Sequence, residues 1–172
     1  ALNSLLFFYT NNSNYTKERD SIFNAIINLL QDDKSDEIGK LVNIHLSNYY
    51  SVIGQYDVAI QYLLKDLNYN EIKIKKNKGN FSDSVNYGVS LLNIAETYNT
   101  IKNADKAVEY IDKAKPFLQK YQAGFLHCFK DYCDAYVLKN NIPQANQYYD
   151  SLKFYLKKLD ADASSWSKKI AI

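Results

Sequence analysis

Two histidines and two cysteines are the residues of this chain best suited to metal or nucleophilic chemistry, and His127, Cys128 and Cys133 fall close together. His127 and Asp131 stand one helical turn apart, where two side chains can share a ligand. Neither a second histidine nor a cysteine pair at metal spacing accompanies them. His127 and Cys128 are neighbours, and neighbours on a helix splay by roughly 100°, so they cannot serve as base and nucleophile. Cys128 and Cys133, five apart on one predicted helix, point in different directions and cannot bridge. They read as buried thiols acting as small apolar residues. No G-x-S-x-G, P-loop or G-x-G-x-x-G run occurs. The carboxylates scatter over predicted solvent faces. No catalytic constellation, metal site or cofactor is expected, and the chain reads as a non-enzyme.

Weaker chemical signals have plainer readings. Asn11, Asn14 and Asn80 open N-x-[ST] triplets, which chance supplies in a chain rich in Asn, Ser and Thr. The Lys73–Lys78 cluster would suit an anionic surface, but it also suits a solvated loop flank. The formal net charge is +2, and Arg19 is the lone arginine. Arg is the preferred bidentate reader of phosphate and guanine, so nucleic acid is not an expected partner. No stretch approaches the roughly 20 apolar residues of a membrane span.

These residues must be carried by helices. The 172 residues are 47% hydrophobic and 23% charged, with five Gly and two Pro. A sheet protein of this size needs more turn residues. Leu91, Leu92, Ile94, Ala95 and Tyr98 have helical spacing, and after a polar break at Lys102-Asn103 the pattern resumes as Ala104, Ala107, Tyr110, Ile111 and Ala114. The comb recurs upstream as Ser47, Tyr50, Gly54, Tyr56, Ala59 and Leu63. Downstream it is Cys133, Tyr136, Ala145, Tyr149 and Leu152. A weaker copy, Leu6, Tyr9, Tyr15, Ile22 and Ala25, opens the chain, with Glu18 where a small residue is expected.

The spacing predicts helices over about 2–10, 16–31, 36–53, 56–76, 83–101, 104–121, 122–139 and 143–159. Ser35 or Asp36 and Ser82 or Asp83 are the expected caps, Gly79 a stop, and Pro116 a bend or early end. Pro143 suits a first turn, and the tail from Ser164 is expected to open another helix. Glu71–Lys75 alternates like a strand but is too short to outvote the helix before it. Small residues let paired helices approach: Ser47 with Ala59, Ala95 with Ala107, Cys133 with Ala145. Each pair leaves an apolar face that only a neighbour covers, so the pairs must stack.

This comb resembles the tetratricopeptide repeat, most specifically at Gly54-Gln-Tyr56-Asp-Val-Ala59, and the resemblance covers nearly the whole chain. It departs in repeat length, with steps of 41, 48 and 38 residues between Leu6, Ser47, Ala95 and Cys133. The consensus Trp and terminal Pro are also missing. Long repeats of this kind are similar to those of kinesin light chains and of bacterial signalling regulators. The resemblance implies an all-α fold, a right-handed α-α superhelix of about four hairpins, over a single domain 1–172. With no Met in the chain, that domain is expected to be a piece of a larger protein.

The resemblance also implies a concave binding face lined by the first helices. Mapped here, it comprises Ile44, Asn48 and Ser51; Val89, Leu92, Asn93, Glu96 and Asn99; and His127, Lys130, Asp131 and Asp134. Asn48 and Asn93 match the Asn positions of the carboxylate clamp some such domains carry, but Ile44 and Val89 replace its Lys residues. What remains is an Asn-rich, mildly acidic groove, suited to a basic or neutral peptide or simply solvated. The expected function is protein or peptide binding, as the input region of a bacterial signalling protein such as a sensor kinase or transcription regulator, on the extracytoplasmic or the cytoplasmic side. The alternative is a scaffold that joins subunits, or copies of itself, through its convex face or through its ends, Leu2–Tyr9 and Trp166–Ile172.

Overall fold

The computed structural model describes residues 16–32, 36–77 and 79–170. Among them lie α1 (Thr16–Asp32), α2 (Asp36–Val52), α3 (Tyr56–Lys76), α4 (Phe81–Thr100), α5 (Ala104–Leu118), α6 (Gln122–Leu138) and α7 (Ile142–Ile170), and no strand. The expected helix over 2–10 lies outside the described residues. The chain divides into two compact units, Ala1–Asp83 and Ser84–Ile172.

In the first unit α2 packs on α3, and α1 packs on α2. Val42 and Leu46 are buried there, with Ile22, Phe23, Ile27, Tyr50 and Tyr62 packed around them. The Phe23 and Tyr49 rings stack at 3.7 Å, and the Tyr49 hydroxyl donates to Asp20 at 3.0 Å. Ala25, assigned to the weak first copy of the comb, is exposed.

In the second unit α6 packs on both α5 and α7. Ala104, Ala107 and Ala135 form a buried cluster flanked by Tyr98 and Val108. Ala95, Ala107, Ala114 and Ala135 are fully buried, as close helix approach requires. The Cys133 thiol donates to the Ala145 carbonyl at 3.5 Å, which brings α6 and α7 together at the expected pair of small residues. Two glycines also sit at tight contacts. A Cβ on Gly88 of α4 would lie 2.8 Å from Leu118 Cγ, and one on Gly124 of α6 would lie 2.9 Å from Leu118 Cδ2.

One turn geometry recurs three times. Gly54, Lys102 and Asn140 hold φ of 78°, 61° and 56°. The next amides, of Gln55, Asn103 and Asn141, donate back to the carbonyls of Tyr50, Tyr98 and Tyr136 at 2.8, 2.8 and 2.9 Å. Gly54, Lys102 and Asn140 themselves donate to Ser51, Asn99 and Val137 at 3.1, 3.0 and 2.9 Å. This paired bonding satisfies the last carbonyls of the first helix. Asn103 and Asn141 then start the second helix, their side chains accepting from Lys106 and Gln144 at 3.2 Å. The start of the second helix is thereby locked to the end of the first.

Two expectations are corrected and one is met. Asn80, rather than Ser82 or Asp83, caps α4: its Oδ1 accepts from the Asp83 amide at 2.8 Å. The Asp83 carboxylate accepts from Asn77 and Asn80 at 2.6 and 2.8 Å, because a carboxylate inside the first turn can reach back to groups before the helix. The α5 helix meets the expected early end, stopping at Leu118, two residues after Pro116. Pro116 lacks the amide that would bond the Asp112 carbonyl. Finally, the tail opens no new helix, since α7 runs unbroken to Ile170 with no Gly or Pro after Pro143 to stop it.

Candidate functional site

Among the described residues, the three hairpins α2–α3, α4–α5 and α6–α7 each carry a stacked tyrosine pair just inside the turn. Tyr50 and Tyr62 stack at 5.6 Å, Tyr98 and Tyr110 at 5.6 Å, and Tyr136 and Tyr148 at 5.5 Å, with planes within 23° of parallel. The first member of each pair is the tyrosine whose carbonyl closes the turn. The spacing Tyr-x11-Tyr is written three times in the chain. A comb anchored on small residues passes over Tyr62 and Tyr148 as repeat positions.

These hairpins position the candidate binding residues. On the first unit, α2 carries Asn48 exposed and Ile44 and Ser51 half-buried. On the second unit, α4 and α6 lie side by side, joined where the Asn99 Nδ2 donates to the Asp131 carbonyl at 3.0 Å. Glu96, Asn99, Thr100, Lys130, Asp134, Val137 and Leu138 line an open depression there of about 380 Å³. Glu96, Asn99, Lys130 and Asp134 are all expected from the sequence. Thr100, Val137 and Leu138 are not. Val137 and Leu138 are 56% and 40% exposed and form an apolar lip.

Lys130 is the electrostatic centre. Its Nζ lies 3.0 Å from Asp131, 3.2 Å from Asp134 and 3.8 Å from Glu96. Burial opposes its charge, but the hydrogen-bonded Asp131 and Asp134 carboxylates more than offset that and hold its pKa above the usual lysine value. Burial pushes the Asp131 carboxyl above its ordinary range, against the pull of Lys130. Three carboxylates around one ammonium leave this patch net negative. The Asn99 Oδ1 is buried and accepts from no group among the described residues.

The remaining expected residues separate. Leu92 is 4% exposed and belongs to the core, so it offers no groove surface. It lies between Leu91 and Ile94, on the apolar side of its helix. Asp131 is also buried and reaches the patch only through Lys130. His127 is exposed, and Asn93 and Val89 are half-buried. The Asn93 carbonyl accepts from the Thr97 hydroxyl at 2.9 Å.

For other chemistry, no group of three or more His, Cys, Asp or Glu among the described residues could hold a metal ion. Both cysteines are free thiols. Burial, with the Asp131 charge next, pushes the Cys128 thiol up to about 12. That is the opposite of what a reactive cysteine needs. Asn80, which opens an N-x-[ST] triplet, spends its side chain on the α4 cap. No described helix is long and apolar enough to cross a membrane.

No protein-family model matches this chain. No curated protein matches it either. Among solved structures it is similar to the crystal structure of a Podosopora anserina kinesin light chain variant with nearly identical TPR-like repeats. The two are 13% identical, the match covers 93% of this chain and 95% of that one, and the TM-score is 0.47. That likeness is too loose to carry a site or a partner across. The helical-repeat fold stands on the thrice-repeated turn and tyrosine pair.

Proposed function

We propose that this chain is a protein-interaction domain, and that the α4–α6 face of its second unit receives an extended peptide segment. One observation carries the reading: an open, net-negative depression with an apolar lip lies on the first helices of two successive hairpins, where repeat proteins build their binding surfaces. Carboxylates there favour a basic partner and disfavour an anionic one. The length and Tyr/Lys/Asn-rich character of the repeats support a further reading, the input region of a bacterial signalling protein such as a sensor kinase or transcription regulator, and sequencing the gene that encodes this chain tests it.

The test uses random peptides displayed on phage and selected on the purified chain. Glu96→Ala with Asp134→Ala is expected to weaken the selected peptides about tenfold at low salt, on the scale of interfacial charge pairs. Circular dichroism should be unchanged, because both side chains are about half exposed. Peptides that bind the double variant undiminished would remove this face from consideration.

A second reading, a scaffold that associates through its last helix, is favoured by Ile142, Tyr149 and Leu156. They are 48%, 53% and 45% exposed at heptad spacing along α7. Sedimentation should then show a dimer that Tyr149→Glu converts to monomer. A monomer at all concentrations excludes that arrangement.

A further inference from the structure

We infer that Lys130 is a built-in occupant of a cation subsite, and that the natural ligand carries a Lys or Arg next to an aliphatic residue. This rests on the peptide-binding reading above. The Lys130 ammonium sits among Glu96, Asp131 and Asp134 at 3.8, 3.0 and 3.2 Å. Two of those carboxylates, Glu96 and Asp134, are 54% and 52% exposed, and Lys130 itself is 46% exposed. They face the same depression as Val137 and Leu138. An incoming guanidinium or ammonium would complement Glu96 and Asp134, while its aliphatic neighbour covers the lip. Lys130 would fall back on Asp131, whose side chain is 2% exposed and out of the ligand's reach. The Asn99 Oδ1, buried at the same place with no donor among the described residues, is a second point that a donor-bearing ligand would satisfy once it opens the contact. Surface ion pairs are individually weak, so displacing the lysine from Glu96 and Asp134 is feasible, but it competes with the ligand's own cation.

Competition of this kind has a distinctive signature. A residue that merely contacts the ligand weakens binding when removed, whereas a tethered competitor strengthens it. The variant Lys130→Met with Asp131→Asn removes the competitor, leaves the net charge of the depression unchanged, and avoids stranding a buried carboxylate without its partner. Phage-selected peptides are expected to be enriched in Lys or Arg beside Leu, Ile or Val. They should bind this double variant about threefold to fivefold more tightly, the scale of an exposed ion pair, and Glu96→Gln with Asp134→Asn more weakly than the parent. Thermal melts confirm that each variant folds. If the variant melts below the assay temperature, Lys130→Gln with Asp131→Asn replaces it, with the same expected gain. Basic peptides that weaken on Lys130→Met/Asp131→Asn while still depending on Glu96 and Asp134 overturn the competitor and leave the peptide face standing. Peptides indifferent to Glu96 and Asp134, or a selection that enriches no basic residue, overturn both.

Discussion

At the residue scale, three positions in equivalent turns meet the same demand with different chemistry. Gly54, Lys102 and Asn140 all occupy the left-handed region. Glycine enters it freely and asparagine at modest cost, but lysine has no such ease. The left-handed conformation costs an L-residue about 1–2 kcal/mol, and glycine gives back about 0.5–1 kcal/mol in unfolded-chain entropy. Lys102→Gly is therefore expected to stabilise the chain by about 0.5 kcal/mol, read as a higher urea midpoint at unchanged slope. An unchanged or lower midpoint would mean that the lysine gains something in the turn beyond its backbone. Gly54 is legible as a turn residue from its type. Lys102 is legible only as part of a polar break, since nothing in a lysine announces a positive φ.

At the element scale, what matters is how close two helices come and what locks their register. The register follows from the turn. The amide after the left-handed residue returns to the tyrosine carbonyl, and the same tyrosine stacks on its partner twelve residues on. Closeness follows from small residues, and two of these escape the sequence pattern. Gly88 and Gly124 both border Leu118, which is fully buried, yet in sequence each is a lone glycine inside a helical pattern. Gly88→Ala would place a methyl 2.8 Å from Leu118 Cγ and 3.0 Å from Phe117 Cβ. Overpacking costs about 1–3 kcal/mol, against a helix-propensity gain of about 1 kcal/mol. With a buried leucine in the way we expect net destabilisation of about 1 kcal/mol in a denaturant melt. A gain in stability would show that Leu118 yields.

At the scale of the whole molecule, each compact unit closes a core of its own. Repeat arrays derive stability from each repeat and its immediate neighbours, so a piece that keeps its hairpins whole keeps its structure. A chain starting at Asn80, which retains the α4 cap and all of α4 to α7, is expected to show helical circular dichroism and one cooperative melt. A featureless, gradual melt would show that these hairpins need the preceding ones.

The all-helical character of the described chain, the hairpin boundaries and most of the close-packing positions were set by local residue patterns. Helical spacing, small residues and turn residues act over a few positions, so one chain read alone reveals them. The exceptions are instructive: Asn80 replaces the nearby Ser82 and Asp83 as a cap, and the last helix runs on through a tail that reads as a separate start. The candidate depression is different in kind. Glu96 and Lys130 lie on helices two apart in the chain, and their approach depends on how α4 and α6 pack side by side. Family resemblance could nominate them as groove residues. Only the packed structure set Lys130 among three carboxylates, withdrew Leu92 into the core and brought Val137 and Leu138 to the rim, because those distances depend on side chains far apart in sequence.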